Sequence, residues 1–135
     1  MLLQIITPKK IVFEEDVKSV TVPSTTGDIT VLNKHMPLFS QLTEGIITVK
    51  RTGEDVVMAI GGGYLETGSG KTILLVSRAY GQDEIDEKAV LAARDQAEKD
   101  VASAPGEAER TEALEMLRRT TIDLKLLGKI RRKRN

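Results

Sequence analysis

The stretch Gly68-Ser69-Gly70-Lys71-Thr72 has the residue types of a phosphate-binding loop. Glycines would expose backbone N–H groups, lysine would supply charge and a hydroxyl would face a metal. The spacing excludes that chemistry, because the motif requires glycine at position 65, which is Leu. The residues that follow, Ile73-Leu74-Leu75-Val76, read as a strand where a phosphate loop opens a helix, so the segment is read as a hairpin turn. Gly61-Gly62-Gly63 lacks both the GxGxxG spacing and a following helix. It reads as a bulge or a close backbone crossing, or as a flat face for a partner. His35 is the single histidine and cysteine is absent, so there is no second imidazole or thiolate to complete a zinc site or a nucleophile–base set. Beside Pro37, His35 reads as a turn or interface residue in a loop. Glu14-Glu15-Asp16 reads as a solvated turn, and nothing in the chain assembles a general acid, a base and an electrophile pocket. The residues predict a protein that is not an enzyme and holds no cofactor or metal.

Composition narrows the alternatives. The 135 residues suit one domain or a compact domain with an appendage. Hydrophobic residues are 40% but aromatics only 3%, so the core must be built from Val, Ile, Leu and Ala. Lys and Arg number 20 and so do Asp and Glu, leaving no field that would steer the whole molecule to nucleic acid. The local excess is the tail Lys129, Arg131, Arg132, Lys133 and Arg134, which alone reads as a solvated, frayed terminus. The opening MLLQIITPKK is apolar for only six residues, too few for a signal-peptide core, and no run approaches a membrane span. Membrane association is expected only through a partner, without direct insertion.

The elements that must carry these residues change character near Gly81. Before it, short β-branched segments at residues 2–6, 11–13, 17–22, 29–32, 46–49, 56–60 and 73–76 are separated by turn signals such as Thr26-Gly27-Asp28 and Arg51-Thr52-Gly53-Glu54. They predict an all-β sandwich or flattened barrel. After it, Ala89, Ala92, Ala93, Ala97 and Val101 form a small-residue stripe on a first helix over residues 83–103, capped by Asp83 or Asp86. Ala104-Pro105-Gly106 breaks it. A second helix carries Leu114, Leu117, Thr121 and Leu124 and is expected to stop at Gly128. The expected class is α+β: a β-sandwich over residues 1–82, then an antiparallel two-helix hairpin over residues 83–135. Such a hairpin is marginal alone and suits an element that moves or binds.

In order along the chain, Leu3-Gln4-Ile5-Ile6-Thr7-Pro8, Gly27-Asp28-Ile29, Leu32-Asn33-Lys34-His35-Met36-Pro37-Leu38, Gly45-Ile46-Ile47, Ile60-Gly61-Gly62-Gly63-Tyr64-Leu65-Glu66 and Gly81-Gln82-Asp83-Glu84-Ile85-Asp86 resemble landmarks of the epsilon subunit of bacterial and chloroplast F-type ATP synthases. The resemblance covers essentially the whole length. It departs in the loop holding Thr30, Asn33 and Lys34, where the family usually has Gly and Pro. It departs again at Ala89-Val90, where many members carry Arg-Ala.

The resemblance implies a non-catalytic rotor component of the central stalk. Its β-domain would contact the gamma subunit and the loops of the c-ring, with Asp28, His35, Met36 and Leu38 on the ring side. The hairpin would fold down or extend along gamma to the catalytic alpha and beta subunits, inhibiting ATP hydrolysis. Arg131, Arg132, Lys133 and Arg134 would then pair with an acidic loop of beta, an arrangement that favours register and encounter and is weakened by salt. The implied location is peripheral, on the cytoplasmic face of a bacterial cell membrane or the stromal face of a thylakoid. Ala89 argues against ATP sensing by the hairpin, for which Arg94, Arg118 and Arg119 are the remaining cationic candidates. The alternatives are that ATP-sensing module and an unrelated β-sandwich interaction scaffold.

Overall fold

Alternation of β-branched residues with polar ones dictates the first half of the molecule. In the computed structural model, which describes residues 1–34 and 37–134 with side chains through residue 128, this half forms ten strands. They are β1 (Leu2–Ile6), β2 (Ile11–Asp16), β3 (Ser19–Ser24), β4 (Gly27–Leu32), β5 (Leu38–Leu42), β6 (Gly45–Lys50), β7 (Val56–Ile60), β8 (Gly63–Gly68), β9 (Lys71–Val76) and β10 (Ala79–Tyr80). Neighbours run β10-β7-β6-β3-β5-β8-β9-β1-β2, with β4 on β3. All pairs are antiparallel except β1 with β9. Strand β3 is the corner: it pairs with β6 from Ser19 to Thr21 but meets β5 only at Ser24 opposite Leu42. The sheet thereby folds over into a nearly closed barrel, the sandwich-like form expected.

Inward positions are filled as the period requires. Leu3 and Ile5 on β1, Val20 and Val22 on β3, Val31 on β4, Ile47 and Val49 on β6, Leu65 on β8 and Leu74 on β9 are fully buried in one cluster. Aliphatic burial of this kind contributes on the order of 1.5–3 kcal/mol per side chain, so residues 1–81 carry their own core. Three strands lay outside the expectation. β5 and β8 commit only alternate positions to the core and carry Phe39, Gln41, Tyr64 and Glu66 outward. β10 is two residues long.

The chain divides into two compact units, Met1–Gly81 and a second beginning at Gln82. In the second, a short 3₁₀ turn (Gln82–Glu84) leads to α1 (Glu87–Ser103), with Asp86 as N-cap: its Oδ1 accepts the Ala89 N–H at 3.2 Å. Ala104 is extended (φ −60°, ψ 127°), and with Pro105 and Gly106 it turns the chain into α2 (Glu107–Arg134), which packs on α1. Two details correct the sequence expectation. Helix α2 runs straight through Gly128, because glycine ends a helix only where the backbone goes left-handed, and here the Lys and Arg that follow are good helix formers that suit a helix C-terminus. The buried line is also rotated. Ala113, Thr120 and Leu127 are buried on α2 and Ala97 on α1, while Ala89, Ala92, Leu114 and Thr121 are exposed. Residues three and four apart are equally good partners, so a sparse stripe does not fix its own angle.

Candidate partner-binding surfaces

The glycine-rich segments are a turn and a backbone crossing of the sheet. Gly68-Ser69-Gly70-Lys71 is the tight turn between β8 and β9, with Ser69 and Gly70 both left-handed (φ 53° and 77°) and Gly68 opposite Lys71. At Gly61-Gly62-Gly63 the backbone crosses the β9–β10 connection: Gly61 N–H donates to Arg78 C=O at 2.9 Å and Ser77 N–H to Gly62 C=O at 3.0 Å. A Cβ at Gly63 would lie 1.9 Å from the Leu75 carbonyl oxygen, so this is the close approach expected. The half-buried Arg78–Glu44 ion pair, 3.0 Å, lies at the same crossing.

Residues 28–38, the expected ring-side segment, divide into parts. Asp28 is exposed, the second residue of β4 and opposite Pro23, so it sits on a strand rather than in the turn itself. Leu32 and Lys34 are exposed, Lys34 with φ 67°. His35 and Met36 lie outside the described residues. Leu38 is half-buried and packs against the barrel core, while the next residue, Phe39, points out.

Sequence reasoning did not find a second surface, on the outer face of β5-β8-β9-β1-β2. Phe39 and Tyr64 stack with centroids 5.4 Å apart and planes at 22°. Strand register then continues the line: Tyr64 is opposite Leu75, Leu75 opposite Ile6, and Ile6 opposite Ile11. Cross-strand partners share a face. Phe39 is 67% exposed, Ile11 52%, Leu75 50% and Tyr64 47%. This is an apolar band spanning five strands. The available signal was Ile73-Leu74-Leu75-Val76, since an unbroken apolar run on a half-buried strand must present apolar groups on both faces.

The candidate cations of the hairpin lie in different surroundings. Arg94 on α1 is half-buried, its Nη2 3.5 Å from Asp95 Oδ1 and its Nε buried without a hydrogen-bond partner. Arg118 and Arg119 are exposed on α2. Ala89 is exposed, and its N–H is engaged by the Asp86 cap. Arg131, Arg132, Lys133 and Arg134 belong to the last turns of α2, with side chains outside the description.

Comparison with known proteins follows the same division. Residues 1–82 match the family described as ATP synthase, Delta/Epsilon chain, beta-sandwich domain. The ATP synthase epsilon chain of Moorella thermoacetica is 34% identical over 129 residues, 95% of this chain and 96% of that one. That of Herpetosiphon aurantiacus is 33% identical over 132 residues, 98% and 96% of the two chains. The chloroplastic epsilon chain of Coffea arabica is 30% identical over 128 residues, 95% and 97% of the two. Among solved structures, a chain of the Euglena gracilis mitochondrial ATP synthase (OSCP/F1/c-ring, rotational state 1) has the same fold, with a TM-score of 0.76 at 22% identity, covering 100% of this chain and 81% of that one. A chain of the Tetrahymena thermophila mitochondrial ATP synthase central stalk/c-ring gives 0.61 at 21% identity, covering 96% and 95%. The β-barrel unit that matches the family over residues 1–82, the capped helical hairpin that follows it in sequence and the near full-length likeness to epsilon chains lead to one assignment: this chain belongs to the ATP synthase epsilon-chain family.

Proposed function

We propose that this chain, a non-catalytic epsilon subunit of the F-type ATP synthase central stalk, couples ion translocation to ATP synthesis through its barrel and restrains ATP hydrolysis through its hairpin. The barrel sits against the gamma subunit and the c-ring loops, with residues 28–38 toward the ring. The complex holds it peripherally, at the cytoplasmic or stromal side. Extended along gamma, the hairpin reaches the catalytic alpha and beta subunits and obstructs rotation in the hydrolysis direction.

The observation that carries the brake is the contrast between the two units. The barrel has a contiguous buried cluster of its own, whereas α1, 17 residues long, buries a single side chain, Ala97. A helix with so little buried surface is held weakly, and elements that move are drawn from the weakly held end of a structure. The second function weighed, ATP sensing, has no comparable support, since Ala89 supplies no phosphate partner.

Truncation after Gln82 tests the reading. The truncated chain should fold, bind the stalk and restore coupling, and ATP hydrolysis by the assembled enzyme should rise. Unchanged hydrolysis with normal assembly would make the hairpin a structural part and refute the brake.

A further inference from the structure

The last hold of the barrel on the chain is built at the triple-glycine crossing. Strand β9 ends its pairing with β8 at Val76, opposite Gly63, and the first unit ends at Gly81. Between them lie Ser77, Arg78 and the two residues of β10, paired through Ala79 opposite Ile60 and Tyr80 opposite Ala59. Backbone pairing over so short a strand at a sheet end is weak. Side chains add to it. Arg78 Nη2 donates to Glu44 Oε2 at 3.0 Å, an ion pair half-buried at both ends. The Arg78 side chain passes over Gly61, where a Cβ would stand 2.9 Å from its Nη1, 3.1 Å from its Cγ and 2.1 Å from Ser77 Oγ. Only glycine at 61 leaves Arg78 room to reach across. Glu44 is the fixed end of the pair. It lies in the two-residue connection from β5 to β6. There Thr43 N–H donates to Pro23 C=O at 3.0 Å, and a Cβ at Gly45 would stand 2.9 Å from Pro23 Cγ. The pair is not the cheapest way to fill this place, because Arg78 Nε is buried without a hydrogen-bond partner. An aliphatic side chain would avoid that cost. The best-attested use of an ion pair kept at such a cost is to fix a register or to act as a switch.

We infer that Arg78 and Glu44 form a clasp that keeps β10 on β7 and so withholds slack from the helical hairpin. This rests on the brake proposed above and adds its regulation. With the clasp closed, the tether of the hairpin starts at Gly81. With the clasp open, it starts at Ser77, and the four residues released add about 13 Å of reach when extended. A tether too short for its span lowers the effective concentration of the tethered element at its target, and added length restores it. The closed clasp therefore disfavours the extended, obstructing hairpin, and opening the clasp favours it. Arg78 and Glu44 act through the tether, as positioning residues.

The experiment uses the full-length chain, alone and reassembled into a catalytic core with its stalk that has been stripped of endogenous epsilon subunit. Glu44→Gln removes the charge and keeps the shape. Amide exchange at Gly61 and Ser77, the donors of the crossing, should quicken about tenfold or more, with exchange in β1 and β6 unchanged. ATP hydrolysis by the assembled enzyme should fall about threefold or more as the extended hairpin gains population. Arg78→Met, which leaves no unpaired cation, should do the same and serves where Glu44→Gln unfolds the barrel; melting of each variant is measured alongside. Glu44→Arg with Arg78→Glu rebuilds the pair in reverse and should bring both readouts back toward wild type. In a chain truncated after Gln82, Glu44→Gln should leave hydrolysis at the level of the truncation alone, because the effect needs the hairpin. Unchanged exchange at Gly61 and Ser77 overturns the inference, since the pair then does not hold β10. Faster exchange with unchanged hydrolysis also overturns it, and so does hydrolysis that rises, which would make the closed clasp a support of the brake. A change in hydrolysis that persists in the truncated chain overturns it by placing the effect in the barrel. If truncation itself leaves hydrolysis unchanged, the brake fails first, and the inference with it.

Discussion

Gly63→Ala should damage this protein more than any other single methyl group added to the triple-glycine segment. The added Cβ would lie 1.9 Å from the Leu75 carbonyl oxygen and 2.8 Å from Val76 Cα, both backbone atoms. Contacts of this kind need about 3.2 Å, so the strands must separate by roughly 1 Å or more, and no side-chain rotamer can absorb that. Gly63 is opposite Val76 on one side and Leu42 on the other, at a three-strand junction whose inward neighbours are core. Overpacking typically costs about 1–3 kcal/mol, and a backbone clash belongs at the top of that range. At about 4–8 °C per kcal/mol for a domain this size, the barrel should melt roughly 12–24 °C lower. The assay is thermal unfolding of the barrel followed by circular dichroism. Gly62→Ala is the control, since its Cβ would meet nothing closer than the Leu42 carbonyl oxygen at 3.4 Å. If Gly63→Ala melts within a degree or two of wild type, the close crossing is not what these glycines are for.

The other expectations concern the hairpin and the ring-side segment. Asp86→Ala removes the cap on Ala89 N–H and should cost α1 about 1 kcal/mol, read as faster amide exchange in α1 with unchanged exchange in the barrel core; equal loss in both units would refute it. ATP binding by the isolated chain should be weak or undetectable by calorimetry, because Ala89 replaces a charge-assisted contact worth about 1.5–3 kcal/mol; micromolar affinity would sink that reading. Asp28→Ala with Met36→Ala should leave barrel melting almost unchanged while ATP-driven ion pumping falls; an unfolded barrel would show instead that these residues hold the fold.

The barrel was legible because its signal is local. Period-2 alternation in residues 20–22 and 47–49 and the left-handed turn at Gly53 (φ 98°) are each properties of a few neighbouring residues. β5 and β8 were hidden because Phe39, Tyr64 and Glu66 point outward. A strand whose outer face is apolar or mixed carries no clean alternation, and the same outward residues make up the band. The band itself needed register: Tyr64, Leu75, Ile6 and Ile11 are far apart in sequence and become one surface only when β8, β9, β1 and β2 are aligned. The hairpin showed the reverse pattern. Its existence was readable from the alanine period and its cap was narrowed to Asp83 or Asp86, but not which of Ala92, Ala93 and Ala97 face inward. A stripe of small residues carries too little side chain to select one angle over the next.

That weakness of selection is also what a releasable brake requires. Ala97 on α1 and Ala113 on α2 are both buried, and each lacks the three carbons a leucine would place there. At about 0.8 kcal/mol per buried methylene, leucines at both positions could add up to about 5 kcal/mol, an upper estimate because unfolded chains already bury some apolar surface. That is on the order of 3.5 decades in the ratio of paired to separated helices within the hairpin. Helices packed to that density would stay paired. With alanines, the brake proposed above would need only a competing surface of ordinary strength to part the helices, since a ligand shifts such an equilibrium only by its difference in affinity for the two states. Local terms support the helices independently of their packing. Asp86 caps α1, and Glu107 and Glu109 lie in the first turn of α2, where acidic groups complement the helix dipole. Helices secured locally and joined by small side chains can part as intact rods, the mechanical property that the brake proposed above needs.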